Sequence, residues 1–282
     1  MSRTTKLKIA GGRAKRRLSG AIVTPRLGLQ RRSRRFRGRK EDRFWWYQLR
    51  NTDYVPPVFA TLSRREWQII KAWYRDSERV HGIGEINVPA MSLLQGLIMG
   101  NGVSRTVELG HYYGYSTLLT GFMLRAMNNG GRMVSIDIDP KANAFTQRWI
   151  ERAGLTETCS LYLSDSSDSK ALDFAVDRLG GMPELILLDS SHQFEHTLKE
   201  LDLWVPKMEP NTIMLLHDTS NFARDWDGTG KGGVQAALDK WLPKHPELEF
   251  INLNRQVPKS RGNDSLVYKD GCGIGILQVR GT

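Results

Sequence analysis

The stretch Thr106–Thr117 is the feature that most constrains the fold of this 282-residue chain. It reads TVELGHYYGYST, which predicts a short strand, a tight turn and a helix start. Gly110 and Gly114 carry no side chain, so the backbone of the turn can approach a ligand closely at the positive end of a helix. A second strand-like run ends on Asp137, about one crossover later, where a nucleotide ribose is usually held. The two together predict an adenosine-containing cofactor.

Strand-like and helix-like segments alternate from residue 105 to the end of the sequence. Such alternation predicts an α/β fold with a doubly wound, Rossmann-like sheet of seven strands. The predicted strands are 105–109, 132–137, 159–163, 184–189, 212–217, 248–254 and 273–280. The predicted helices in this part are 116–128, 141–153, 168–179, 194–205 and 232–242.

A helical preface is predicted before the sheet. Ser63 and Glu66 have the spacing of a capping box, which predicts a helix start, and a second helix is expected near Val88. We therefore divide the chain into a basic arm (1–42), a helical preface or lid (43–101) and a main domain (102–282).

Positive charge is concentrated in the arm. Residues 1–40 hold 15 of the 41 Lys and Arg residues and no acidic residue, which leaves 26 basic against 30 acidic residues elsewhere. Such a segment is typical of a solvated arm, of a binding segment for an anionic polymer or membrane surface, or of an organelle-targeting presequence. We expect a soluble, cytoplasmic protein, since no apolar run is long enough to span a bilayer, with organelle targeting as the alternative.

Aromatic residues cluster directly after the arm, at Phe44–Tyr47. These rings could stack on bases or sugars, but caps of a core or an oligomer interface are more common uses, so a homo-oligomer is one expected partner.

Polar residues end five successive predicted strands. Because ligands of open α/β sheets bind beyond the carboxyl ends of the strands, we expect these side chains to meet in one site. They are Glu108, Asp137, Asp165, Asp189 and the His217–Asp218 pair.

The segment Glu108–Ser116 resembles the first motif of class I S-adenosylmethionine-dependent methyltransferases. It is most like the form found in catechol and caffeoyl-coenzyme A O-methyltransferases. The resemblance covers about residues 85–282 and implies S-adenosylmethionine as cofactor. The positions that it implies for cofactor binding are Glu108, Gly110, Tyr112, Gly114, Tyr115, Ser116, Asp137, Asp165 and Ser166.

The later half is similar to a narrower group, the macrolide-sugar (rhamnosyl-type) O-methyltransferases and the cephalosporin hydroxylase-like proteins. The matching segments are Leu187–His192, Asp202–Trp204 and Leu215–Thr219. By this resemblance Asp189 and Asp218 hold a divalent metal, and His192 is the catalytic base that deprotonates the acceptor hydroxyl.

One position departs from that pattern, because His217 stands where the macrolide-sugar enzymes have an acidic residue. Three interpretations stay open: His217 is a third metal ligand, His217 contacts the metal ligands without binding the metal, or the site binds no metal. Oxygen ligands favour Mg²⁺, which we expect here, whereas an imidazole ligand favours a transition metal.

The predicted function is O-methylation of a hydroxyl on a sugar, glycan or other small molecule. Two alternatives stay open at this point: an RNA methyltransferase that uses the basic arm, and a binding protein that keeps the fold without the reaction.

Overall fold

A computed structural model describes residues 55–82, 84–257 and 266–280. The chain divides into two compact units, Met1–Trp67 and Gln68–Thr282. In the first unit, the backbone N–H of Ser63 donates to Glu66 Oε2 (2.6 Å) and the N–H of Glu66 donates to Ser63 Oγ (3.3 Å). These two bonds form the predicted capping box, and a helix begins at the next residue, Arg64.

Two predictions fall outside the described residues, namely the basic arm and the aromatic cluster Phe44–Tyr47. Their roles and the division of the chain into three domains stay predictions. In the described part of the chain, no helix combines the length and apolar character needed to cross a membrane.

The short helix α1 was not predicted, whereas the bounds of the predicted helices and strands from residue 105 onward agree with the structure within one residue. The helices are α1 (Pro57–Ala60), α2 (Arg64–Arg79), α3 (Val88–Asn101), α4 (Tyr115–Met127), α5 (Pro140–Ala153), α6 (Ser169–Leu179), α7 (Phe194–Trp204) and α8 (Gly233–Trp241). The strands are β1 (Arg105–Leu109), β2 (Arg132–Asp137), β3 (Cys159–Leu163), β4 (Leu185–Leu188), β5 (Ile213–His217), β6 (Leu248–Leu253) and β7 (Ile274–Val279).

The sheet has seven strands in the order β3-β2-β1-β4-β5-β7-β6. Strands β1 to β5 are parallel, and β7 runs antiparallel to both β5 and β6. In the register, Val107 lies opposite Val134 on one side and Ile186 on the other. The carboxyl ends of β1, β2 and β4 therefore meet at one edge. This confirms the predicted doubly wound α/β fold.

Local sequence explains where the crossover helices begin and end. Asp139 caps α5 by accepting from the N–H of Lys141 (2.7 Å), and Asp168 caps α6 by accepting from Lys170 N (2.9 Å). Both helices end at glycines with left-handed backbone, Gly154 and Gly180.

The central strands carry the core. All four residues of β4 are buried, as the unbroken apolar run LILL predicts for a strand covered on both faces. Trp204 and Trp241 are buried in the same core cluster. The polar residues beyond the strand ends thus stand on a rigid support.

Candidate active site

A cavity of about 610 Å³ lies at the carboxyl ends of the parallel strands. Its volume is in the range of cofactor and small-molecule sites. Nine of the predicted site residues line it: Gly110, Tyr112, Tyr115, Ser116, Asp137, Asp165, Ser166, Asp189 and His192. Four others, Glu108, Gly114, His217 and Asp218, are not among the residues that line this cavity.

Gly110 is held between two strands. Its φ angle is +90°, and a Cβ atom there would lie 2.3 Å from the carbonyl oxygen of Asp189. Its N–H donates to the carbonyl of Ile136 (2.8 Å). Glycine is therefore required first by the close approach of the β4 end, before any ligand is considered.

Asp137 organises the turn that follows β1. Its Oδ2 accepts from the backbone N–H groups of His111 (3.0 Å) and Tyr112 (2.7 Å), and its Oδ1 accepts from Asp139 N (2.9 Å). A carboxylate has about four acceptor sites. Asp137 thus keeps about one acceptor site for a ribose hydroxyl while fixing the glycine-rich turn.

Glu108 acts beneath the cavity. Its buried Oε2 accepts from the hydroxyls of Thr117 (2.6 Å) and Ser135 (2.5 Å). Burial raises the pKa of Glu108 to about 7, against the opposing effect of these hydroxyls. Burial also lowers the pKa of the neighbouring His111 to about 4. Glu108 therefore links β1 to the start of α4 and to β2.

His192 and Asp218 form a hydrogen-bonded pair. The Nδ1 atom of His192 lies 2.5 Å from Asp218 Oδ2. Burial lowers the pKa of His192, but the hydrogen bond and charge of Asp218 outweigh it, so the pKa is raised. With Nδ1 donating to the carboxylate, Nε2 is the ring atom left to take up a proton.

His217 lies within a ring of carboxylates. Its Nδ1 is 3.1 Å from Asp189 Oδ1 and 3.2 Å from Asp218 Oδ1, and its Nε2 is 3.2 Å from Asp270 Oδ2. Burial disfavours the charged ring, yet Asp218, Asp189 and Asp270 together raise the pKa of His217 well above its ordinary value. These surroundings therefore favour the charged form of His217, in which both nitrogens can donate to carboxylates.

Sequence reasoning missed Asp270. Its Oδ1 accepts from Asn87 Nδ2 (2.7 Å) and from the N–H of Cys272 (3.0 Å), so it is firmly positioned. The available signal was its place just before β7. Since β7 is antiparallel to β5, the residues that precede it lie at the same edge as the residues that follow β5.

Donor atoms of Asp189, His192 and Asp218 lie within 4.8 Å of one another. Within the described residues, the buried Oδ1 of Asp218 accepts no hydrogen bond, and His217 Nδ1 lies 3.2 Å away as an ion-pair partner. Two convergent carboxylates, one with this unfilled acceptor, fit a divalent cation. Both nitrogens of His217 face carboxylates. His217 is therefore better suited to orient the metal ligands than to bind the metal itself.

Asp227 ties the loop after β5 to the start of α7. It accepts from the N–H and hydroxyl of Thr229 (2.9 and 2.6 Å), from Gly233 N (3.0 Å) and from Phe194 N (3.4 Å). Burial acts against these bonds, which still lower the pKa of Asp227 to about 2. The loop brings the ring of Trp226 edge-on to His192, with the ring centroids 5.7 Å apart.

Residues 107–219 match the family described as "Methyltransferase domain". This part of the chain is therefore similar to a methyltransferase domain. The match begins in β1 and ends just after β5, so it covers the strand ends that build the cavity.

Catechol O-methyltransferases are among the curated relatives of this methyltransferase domain. The enzyme from Niastella koreensis is 31% identical over 117 residues, which are 39% of this chain and 51% of that protein. The Bos taurus enzyme is 28% identical over 163 residues, covering 57% of this chain and 51% of that protein. The chain thus spans about half the length of these relatives. The matches confirm the resemblance to class I S-adenosylmethionine-dependent O-methyltransferases.

Solved structures agree on the fold of the methyltransferase domain. An O-methyltransferase from Bacillus cereus in complex with SAH has a TM-score of 0.58 at 16% identity, covering 76% of this chain and 91% of that one. An O-methyltransferase of tomaymycin synthesis from Streptomyces achromogenes, in complex with SAM, has a TM-score of 0.55 at 16% identity, covering 78% and 92%. At this identity the likeness establishes the fold alone.

Proposed function

We propose that this chain is an S-adenosylmethionine-dependent O-methyltransferase that acts on a hydroxyl of a small molecule or sugar with the help of a divalent metal ion. The observation that carries the proposal is the hydrogen-bonded pair of His192 and Asp218 beside a cavity lined by Gly110 and Asp137. A proton acceptor thus lies in the same cavity as a nucleoside-type binding turn.

The cofactor part of the proposal rests on Asp137 and the glycine turn. When bound, the cofactor supplies an electrophilic methyl group on a sulfonium. Asp137 has about one acceptor site left, which suits one ribose hydroxyl. The start of α4 offers backbone N–H groups and the positive end of a helix to the ligand's carboxylate.

The part of the proposal that concerns the acceptor hydroxyl rests on His192. Methyl transfer to a hydroxyl requires in-line orientation and removal of the hydroxyl proton. Because Asp218 accepts from Nδ1, His192 Nε2 can take that proton. The rings of Trp73, Tyr113 and Tyr115 line the same cavity and suit a flat or ring-shaped acceptor, such as a catechol or a sugar.

The part of the proposal that concerns the metal ion rests on Asp189 and Asp218. A divalent ion bound there would lower the pKa of an acceptor hydroxyl and orient it. His217 contacts both carboxylates and would fix their orientation, whereas the buried Asp270 stabilises the charge of His217 from the other side. Oxygen donors favour Mg²⁺ as that ion.

The test is methyl transfer from S-adenosylmethionine labelled in the methyl group to catechol and to a rhamnoside, with and without Mg²⁺. Labelled methyl ether is expected with at least one acceptor, and SAH binding is expected by calorimetry. A chain that binds SAH but labels neither acceptor would place the substrate outside these two classes. A chain that binds no SAH would contradict the proposal.

A further inference from the structure

Glu200 on α7 is a fully buried carboxylate directly behind the cavity wall. Its Oε1 accepts from the hydroxyl of Ser166 (2.5 Å), and its Oε2 accepts from the hydroxyl of Ser190 (2.8 Å). His196 Nε2 lies 3.2 Å from Glu200 Oε1. Ser166, Ser190 and His196 all line the cavity, so Glu200 connects three lining residues from beneath.

The hydrogen atoms of this network can be assigned by counting. Ser166 has one hydroxyl hydrogen and donates it to Glu200, so its oxygen must accept from His196 Nε2, 3.1 Å away. Nε2 therefore carries a proton in every charge state of the ring. Only Nδ1 gains or loses a proton, and it lies 3.8 Å from Asp165 Oδ1.

Two carboxylates, Glu200 and Asp165, influence the charge of His196. A buried carboxylate needs a charged or hydrogen-bonding partner, and His196 is the titratable group in contact with Glu200. Burial and nearby Lys199 lower the pKa of His196, but Glu200 and Asp165 outweigh them, so the pKa is raised. The protonated ring thus holds Glu200 with one nitrogen and faces Asp165 with the other.

The network stands at the end of the cavity that would receive a nucleoside base. Asp137 at the tip of β2 is placed to hold the ribose, and β3 is the next strand beyond β2. Asp165 and Ser166 follow β3 and line the cavity. A base attached to that ribose would lie against these two residues.

We propose that His196 is a positioning residue whose imidazolium, paired with Glu200, holds Asp165 and Ser166 in the arrangement that receives the base of an adenosine-containing ligand. The inference rests on the cofactor proposed above. Loss of the Nδ1 proton removes the attraction to Asp165, so the affinity for the nucleoside decreases as pH rises through the titration of His196.

The experiment is calorimetry with 5′-methylthioadenosine, which has the nucleoside of SAH but lacks the amino group that titrates at high pH. Between about pH 6 and about pH 9, we expect roughly five-fold weaker binding to the wild-type chain, the size of one charge-assisted contact. His196→Gln keeps a donor toward Ser166 and is expected to lose this five-fold change, so that only the change caused by groups common to all the proteins remains. His81→Asn is the matched control, because His81 is exposed and its left-handed φ of 54° suits asparagine.

Glu108 also titrates near neutral pH, but it is present in all three proteins, so its effect cancels in the comparison. Thermal melting of each variant separates loss of folding from loss of positioning. A wild-type affinity without pH dependence, or a pH dependence in His196→Gln as large as that in His81→Asn, would overturn the inference while leaving the methyltransferase proposal intact. Wild-type protein that binds neither SAH nor 5′-methylthioadenosine would overturn both.

Discussion

His192 and Asp218 are hydrogen-bonded through Nδ1 and Oδ2, and both have left-handed backbone angles, with φ of 56° and 62°. They follow β4 and β5, which are neighbours in the sheet. A positive φ is unfavourable for residues other than glycine, so two such residues in contact indicate strain held by the surrounding structure. Asp227 supplies part of that support, because it accepts from the first helical residue after His192's turn.

Asp218→Asn is expected to lower turnover roughly 100-fold, the usual range for loss of oriented general-base catalysis. Asparagine tolerates the left-handed backbone and keeps the shape, but its amide no longer stabilises the imidazolium of His192. Steady-state kinetics and SAH calorimetry on Asp218→Asn and His192→Ala make the test. Turnover should fall while SAH affinity stays within about two-fold. Full turnover in His192→Ala would exclude His192 as the base.

Gly110→Ala is expected to destabilise the folded chain by roughly 4 kcal/mol, because it adds a steric clash to an unfavourable φ. The new Cβ would lie 2.3 Å from the carbonyl oxygen of Asp189. Gly228→Ala is the matched control, since no atom lies within 4 Å of a Cβ there. Urea unfolding of both variants measures the difference. Equal stability of the two would show that the β4 end can move away.

Glu108→Gln is expected to remove a pH dependence of stability. Burial raises the pKa of Glu108 from 4.5 to about 7 in the folded chain. The folded state therefore binds this proton more tightly, and stability falls as pH rises from 4.5 through about 7, by on the order of 3 kcal/mol. Thermal melts across that window should show the fall in wild-type protein and in the exposed control Glu249→Gln. A parallel fall in Glu108→Gln would assign the effect to other groups.

Asp189→Asn is expected to abolish stabilisation by Mg²⁺. An ion that binds the folded state alone raises the melting temperature, and the carboxylate of Asp189 is one of its two proposed oxygen donors. Melting with and without Mg²⁺ should show a shift in wild-type protein but none in the variant, and a chelator should stop wild-type turnover. Unchanged turnover after exhaustive chelation would rule out metal assistance.

Deletion of residues 1–40 removes 15 basic residues and is expected to weaken binding to heparin or anionic vesicles. Binding of the full chain should also fall steeply with salt, as release of counterions requires. A change of mass in sedimentation, without a change in polyanion binding, would instead assign the segment to an oligomer interface.

The sequence by itself determined the order of the strands and the helices along the chain. Each signal is local: alternation of apolar runs, acidic N-caps such as Asp139 and Asp168, and glycine at the helix ends. The rule that ligands bind at the carboxyl ends of parallel strands was enough to group Asp137, Asp165 and Asp189 around one cavity.

Only the tertiary structure decided what each polar group does there. Glu108 accepts from the hydroxyl of Thr117 beneath the cavity, and its predicted role in cofactor binding stays a prediction. His217 pairs with Asp270, which is 53 residues away in sequence, and His196 pairs with Ser166, 30 residues away. Such pairings depend on side-chain direction and on which loops cross the same strand end. The charge states of carboxylates and imidazoles depend on how deeply these groups are buried and on their distances to neighbouring groups. No local pattern in the sequence records either quantity.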